Sequence, residues 1–206
     1  MTQAASTVPG KQNDLHGSAP DNHPTALLLI DVINDFEFPR GDELFARALA
    51  IAPNIAALKR RARAAGIPVV YVNDNFGRWQ SNFDQLVQHC LKDGVRGQPF
   101  VQQLIPDEEH DYFVLKPKHS AFYQTPLDLL LKHFGAQRLI LTGVSTNSCI
   151  LFTASDAYMR DMELIVPSDC VAACNAQEHE TAIQQMRCTM KADVSRSADI
   201  DLSVPV

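Results

Sequence analysis

Three side chains in this sequence carry the chemistry of a hydrolytic site: a carboxylate at Asp31, an ammonium at Lys116 and a thiol at Cys149. Each follows a short apolar run that reads as a strand. Thr25-Ala-Leu-Leu-Leu-Ile precedes Asp31, Tyr112-Phe-Val-Leu precedes Lys116, and Leu139-Ile-Leu-Thr142 leads through the small-residue turn Gly143 to Ser148 into Cys149. The thiol is the nucleophile of such a set. A carboxylate beside it can take the thiol proton and later return it to a leaving group. A cation beside both favours thiolate and keeps the carboxylate ionised before the reaction. The trio therefore supports acyl-transfer hydrolysis without a histidine. Taken singly, each residue has a plainer reading: a buried packing cysteine, a turn-capping aspartate, a solvated lysine. Only their convergence singles them out.

Convergence depends on the elements. The continuous apolar runs at 25–30 and 139–142 predict strands buried on both faces. Further strands are expected at Ile67–Val72, Tyr112–Lys116 and Glu163–Pro167, with a short sixth near Ala192–Val194. Helical periodicity covers Asp42–Ala65, ending at Gly66, with Pro53 predicting a kink or break. Residues 81–93 are expected to form a short helix, 94–110 an irregular surface segment, and Leu127–Phe134 and Glu178–Met190 two more helices. Cys149 is expected in the first turn of a helix running to about Asp161. Unpaired N–H groups and the helix dipole there would lower the thiol pKa. Alternating strands and helices predict an α/β fold: a three-layer α-β-α, Rossmann-like architecture with a mainly parallel sheet of about six strands. Ligands in such sheets bind beyond the carboxyl ends of the strands. No GxGxxG or GxxxxGK(S/T) motif is present, so no nucleotide cofactor is expected.

At 206 residues and 46% hydrophobic, the chain can bury one full core. Residues 25–206 read as that domain, and 1–24, rich in Ser, Pro, Asn, Gln, Asp and His, as a flexible arm. A net charge of −6 argues against nucleic acid or an anionic membrane surface as partner. No apolar run approaches the ~20 residues of a membrane span. The first residues lack a signal-peptide pattern, so a cytoplasmic setting is expected. Five cysteines, with no CxxC pair, are expected to be reduced thiols, and Cys170 and Cys174 lack companions for a zinc site.

The blocks Leu28-Leu-Leu-Ile-Asp31-Val-Ile-Asn-Asp35-Phe, Lys116-Pro-Lys-His-Ser-Ala-Phe122-Tyr-Gln-Thr125 and Gly143-Val-Ser-Thr-Asn-Ser-Cys149, with Asp156-Ala157 beyond, resemble the signature blocks of the isochorismatase-like cysteine hydrolases. The resemblance spans roughly residues 25 to 195, in the family's order. It implies Asp31 as general base and acid, Lys116 rather than Lys118 as its partner, and Cys149 as nucleophile. It also implies a cis peptide before Ser145 and an oxyanion hole from the backbone N–H groups of Ser145 and Cys149. The implied reaction is hydrolysis of a small amide, ureido or carbamoyl compound through a thioester. Dimers or tetramers are common in the family, so a homo-oligomer is expected.

Nicotinamidases of the family bind a metal through an aspartate and two histidines after the second strand. Residues 73–83 contain no histidine, so no metal is expected. Phe36, Trp79, Phe122 and Tyr123 are candidates for the pocket wall, and Asn73, Asn75 and Arg78 for polar contacts. His119, beside Ser120, is left out of the set. Two alternatives stay open. One is hydrolysis of an enol ether with Asp31 as acid, which needs no thiol. The other is a retired family fold that binds without turnover. A redox-sensing thiol is a lesser possibility, without an evident resolving cysteine.

Overall fold

In the computed structural model, residues 21–75 and 82–203 are described. Six strands form the sheet: β1 (Thr25–Ile30), β2 (Val69–Asp74), β3 (Asp111–Lys116), β4 (Arg138–Val144), β5 (Glu163–Ile165) and β6 (Val171–Ala172). All pair in parallel, in the order β3-β2-β1-β4-β5, with β6 added to the far end of β4. Parallel neighbours need crossovers, and the helices between strands supply them. They are α1 (Gly41–Ala64), α2 (Phe83–Cys90), α3 (Gln98–Val101), α4 (Leu127–Phe134), α5 (Leu151–Tyr158) and α6 (Ala176–Met190). None of the described helices is long and apolar enough to cross a membrane.

The pleat explains the unbroken apolar run of β1. Leu28 and Ile30 enter the core shared with α4, α5 and α6, while Leu27 and Leu29 enter the core shared with α1 and α3. Both faces are covered, so neither set of alternate positions can be polar. Chain order then sets the site. From β1 the chain steps outward to β2 and β3, then returns to the opposite side of β1 as β4. Strand order reverses between β1 and β4, and the crevice beyond their carboxyl ends is where such a sheet admits a ligand.

Several elements differ from the sequence expectation. Pro53 lies inside one uninterrupted helix, α1. The expected irregular segment 94–110 contains the short helix α3, with Pro99 at its start. The sixth strand is Val171–Ala172. At 192–194 only an isolated bridge, Asp193 to Ile165, joins the sheet. Two residues paired with β4 carry too little periodicity to be read in advance. Residues 21–24, assigned to the arm, are bonded to the domain. The Pro24 carbonyl accepts the Gln137 and Arg138 N–H groups at 2.8 and 2.9 Å, and the His23 N–H reaches the Phe134 carbonyl at 2.9 Å. The rest of the arm lies outside the described residues.

Candidate active site

Asp31 is the first residue past β1, Lys116 the last of β3, and Cys149 sits in the turn after β4. Lys116 starts two strands away from Asp31. Strand spacing is roughly 4.8 Å, so only a long side chain reaching across the end of β2 can close that gap. It does so from complete burial, at 0% exposure. Its Nζ lies 3.0 Å from Asp31 Oδ2, 3.4 Å from Cys149 Sγ and 3.2 Å from the Lys118 carbonyl. Three ammonium donors thus meet three acceptors, as burial requires. Asp31 in turn accepts the Asp74 N–H at 2.8 Å through Oδ1 and is electrostatically coupled to the Cys149 thiol. Asp31 has φ 52°, a left-handed conformation that aspartate tolerates better than most side chains.

Burial raises the Asp31 pKa above its ordinary value, against the opposing pull of Lys116. Burial alone would lower the Lys116 pKa, but Asp31 and Cys149 outweigh it and raise the pKa. The thiol reverses the sequence expectation. Burial first, and the Asp31 charge second, push Cys149 up to about 12, more than Lys116 pulls it down. Cys149 does lie in the first turn of a helical segment, the π-turn Thr146–Ile150 that runs directly into α5 at Leu151, but burial and the Asp31 charge decide its pKa. Burial thus favours the protonated form of both the thiol and the Asp31 carboxyl, and Lys116 opposes it at each.

The turn is built for close approach. Gly143 has φ 112°, and a Cβ there would stand 2.0 Å from the Ile30 carbonyl oxygen. Only glycine lets β4 run this near the end of β1. The Val144–Ser145 peptide bond is cis. The Ser145 carbonyl then accepts the N–H groups of Ser148 and Ile150, at 3.1 and 3.2 Å. The lysine block is fixed as firmly: Ser120 bonds Asp156, and the Ala121 N–H donates to Thr153 Oγ1 at 3.0 Å.

The proposed pocket residues divide. Phe36 is fully buried, edge-on to Phe45 and Phe100, and serves the core beneath α1. Asn73 is equally buried, and its amide donates to the Ile33 carbonyl at 2.8 Å. Alternation puts it with Tyr71 on the α1 face of β2, whereas Val72 and Cys149 share the opposite core. Phe122 is buried with the Arg160 guanidinium 4.5 Å above its ring, and Tyr123 is 54% exposed. Trp79 and Arg78 lie outside the described residues.

Two residues beside Asp31, Lys116 and Cys149 were not in the expected set. His119 Nδ1 stands 3.8 Å from Cys149 Sγ and 3.2 Å from Ser148 Oγ, with its ring against Phe152. Asp74 Oδ2 lies 3.6 Å from Lys116 Nζ. The sequence held a signal for the second: Asp74 shares the face of Val72 and is paired in register with Lys116. Among the described residues, no group of three or more His, Cys, Asp or Glu side chains is placed to hold a metal ion.

A family model described as "Isochorismatase domain" matches residues 25–199. The uncharacterized isochorismatase family protein YaaI of Bacillus subtilis (strain 168) is 38% identical over 175 residues, covering 85% of this chain and 95% of that protein. The ureidoacrylate amidohydrolase RutB of Methylorubrum extorquens is 30% identical over 190 residues, covering 80% of this chain and 75% of that one. Among solved structures, N-carbamoylsarcosine amidase from Thermoplasma acidophilum superposes with a TM-score of 0.66 at 27% identity, covering 86% and 98% of the two chains.

Proposed function

Because this chain belongs to the isochorismatase family, we propose that it is a cysteine hydrolase cleaving a C–N bond of a small amide, ureido or carbamoyl compound. The observation that carries this reading is the three-way contact of Lys116 Nζ, Asp31 and Cys149 Sγ at the point where strand order reverses. The likeness to an ureidoacrylate amidohydrolase and an N-carbamoylsarcosine amidase supports the substrate class.

In the proposed mechanism the substrate carbonyl lies against Cys149 Sγ. Asp31 removes the thiol proton as sulfur attacks, so a thiol pushed up to about 12 is deprotonated only in the act of bonding. Lys116 holds Asp31 ionised beforehand and balances the charge that moves to sulfur. The developing oxyanion is received by the N–H groups of Ser145 and Cys149. Protonated Asp31 then gives its proton to the departing ammonia or amine, leaving a thioester. Water, deprotonated by Asp31, attacks that thioester and restores the thiol.

The test is ammonia release from a panel of small amides, ureas and carbamoyl compounds, comparing wild type with Cys149→Ala and Asp31→Asn. Release by wild type alone, with each variant down at least about 1,000-fold, is expected. Equal release by Cys149→Ala would sink the thiol mechanism. Cleavage of an enol ether that survives Cys149→Ala but not Asp31→Asn would move the reading to acid catalysis.

A further inference from the structure

The π-turn carrying Cys149 is closed by the Ser145 carbonyl, which accepts the Ser148 and Ile150 N–H groups. Two neighbouring residues of α6 grip it from behind. The Thr146 hydroxyl is fully buried and meets His179 Nδ1 at 3.0 Å. Asn147 donates through Nδ2 to Glu178 Oε2 at 3.3 Å, and its Oδ1 accepts the Ser145 hydroxyl at 2.8 Å. Glu178 stands three residues after the N-cap Asn175, a place from which a glutamate folds back onto its own helix end. Here Oε1 takes the Asn175 amide at 2.7 Å and the Arg40 guanidinium at 3.1 Å, which frees Oε2 for the turn. Arg40 is the residue before α1, so one carboxylate ties the starts of α1 and α6 to the segment between Ser145 and Cys149.

We propose that Glu178 and His179 are positioning residues for this site: acting through Asn147 and Thr146, they aim the Ser145 and Cys149 N–H groups at a tetrahedral oxyanion. The inference rests on the mechanism proposed above, but its consequence can be read without any amide substrate. A small aldehyde adds to a thiol to give a hemithioacetal. The S–C bond forms, the C=O π bond opens, and the thiol proton ends on oxygen through the neighbouring base. That adduct places its oxygen where an oxyanion would sit. Alkylation by iodoacetamide forms an S–C bond with loss of iodide, and it involves no oxyanion.

The two reactions therefore separate aiming from general damage. With 13C-labelled acetaldehyde, followed by NMR of the carbonyl carbon in wild type, Cys149→Ala, Glu178→Ala, His179→Ala and His179→Asn, wild type forms a Cys149-dependent adduct. Both alanine variants hold it at least about tenfold more weakly. Their iodoacetamide rates at Cys149, read by peptide mass spectrometry, stay within about twofold of wild type. The His179→Asn amide reaches the place of Nδ1 and restores adduct affinity to within about threefold. Alanine variants that hold the aldehyde as wild type does, or that lose both reactions in equal proportion, overturn the proposal. So does a wild type that forms no Cys149 adduct. A wild type that binds the aldehyde but releases no ammonia from any amide would instead overturn the proposed function and leave the positioning role standing.

Discussion

At the scale of single residues, the thiol is governed by its surroundings more than by its place in the chain. Burial beside Asp31 pushes Cys149 up to about 12. The thiolate ultraviolet absorbance of Cys149, read as wild type minus Cys149→Ala, is therefore expected to be absent below about pH 9. Thiolate absorbance already present well below that pH would refute this account. The carboxylate gives a second pH signature. Catalysis requires ionised Asp31, and its pKa is raised, chiefly by burial. Activity is therefore lost on acidification at a higher pH than for an exposed aspartate. The acid limb of kcat/KM is expected above the ordinary aspartate value of about 3.9, and a limb at or below it would contradict the assignment of Asp31 as base.

At the scale of elements, the site exists because β1 and β4 lie close enough for the turn after β4 to overhang the end of β1. Gly143 is the residue that permits this, with φ 112° and no room for a Cβ against Ile30. Gly143→Ala is expected to destabilise the fold by about 3 kcal/mol or more, measured by denaturant unfolding. Loss of under about 1 kcal/mol would mean that the strands can part without penalty. The elements also explain two errors of sequence reasoning. Asn73 looked like a loop residue facing ligand, but β2 extends through Asp74, and strand alternation sends Asn73 to the α1 core and Asp74 toward Lys116. Phe36 stood close to Asp31 in sequence, yet its ring enters the aromatic cluster with Phe45 and Phe100.

At the scale of the whole molecule, one sheet with helices on both faces places three distant residues at one rim, and the chain before β1 helps seal its opposite end. The Pro24 carbonyl closes the start of β4 by accepting two N–H groups, and His23 bonds the end of α4. Deleting residues 21–24 together with 1–20 is expected to cost about 2 kcal/mol relative to deleting 1–20 alone. That corresponds to a fall in Tm of about 4–8 °C. Equal melting temperatures for the two truncated chains would show that these bonds are replaced by water without loss.

The sequence by itself determined the α/β architecture and the family, and it singled out Asp31, Lys116 and Cys149, whose side chains the fold brings together. Each is written in local, contiguous terms: apolar runs of strand length, a residue at the run's end, small residues in a turn. Tertiary structure alone decided how those groups behave. Strand order, 3-2-1-4-5, is a property of pairing between segments far apart in the chain, and it is what brings a β3 lysine across β2 to a β1 aspartate. The same holds for the raised thiol pKa, which reflects burial and a neighbouring charge rather than sequence position. It holds too for the hydrogen bonds from Glu178 and His179 to the turn carrying Cys149, across some thirty residues of chain. Local pattern is fixed by backbone geometry and can be read one segment at a time. Desolvation and contact depend on which segments meet, and only the folded chain supplies that.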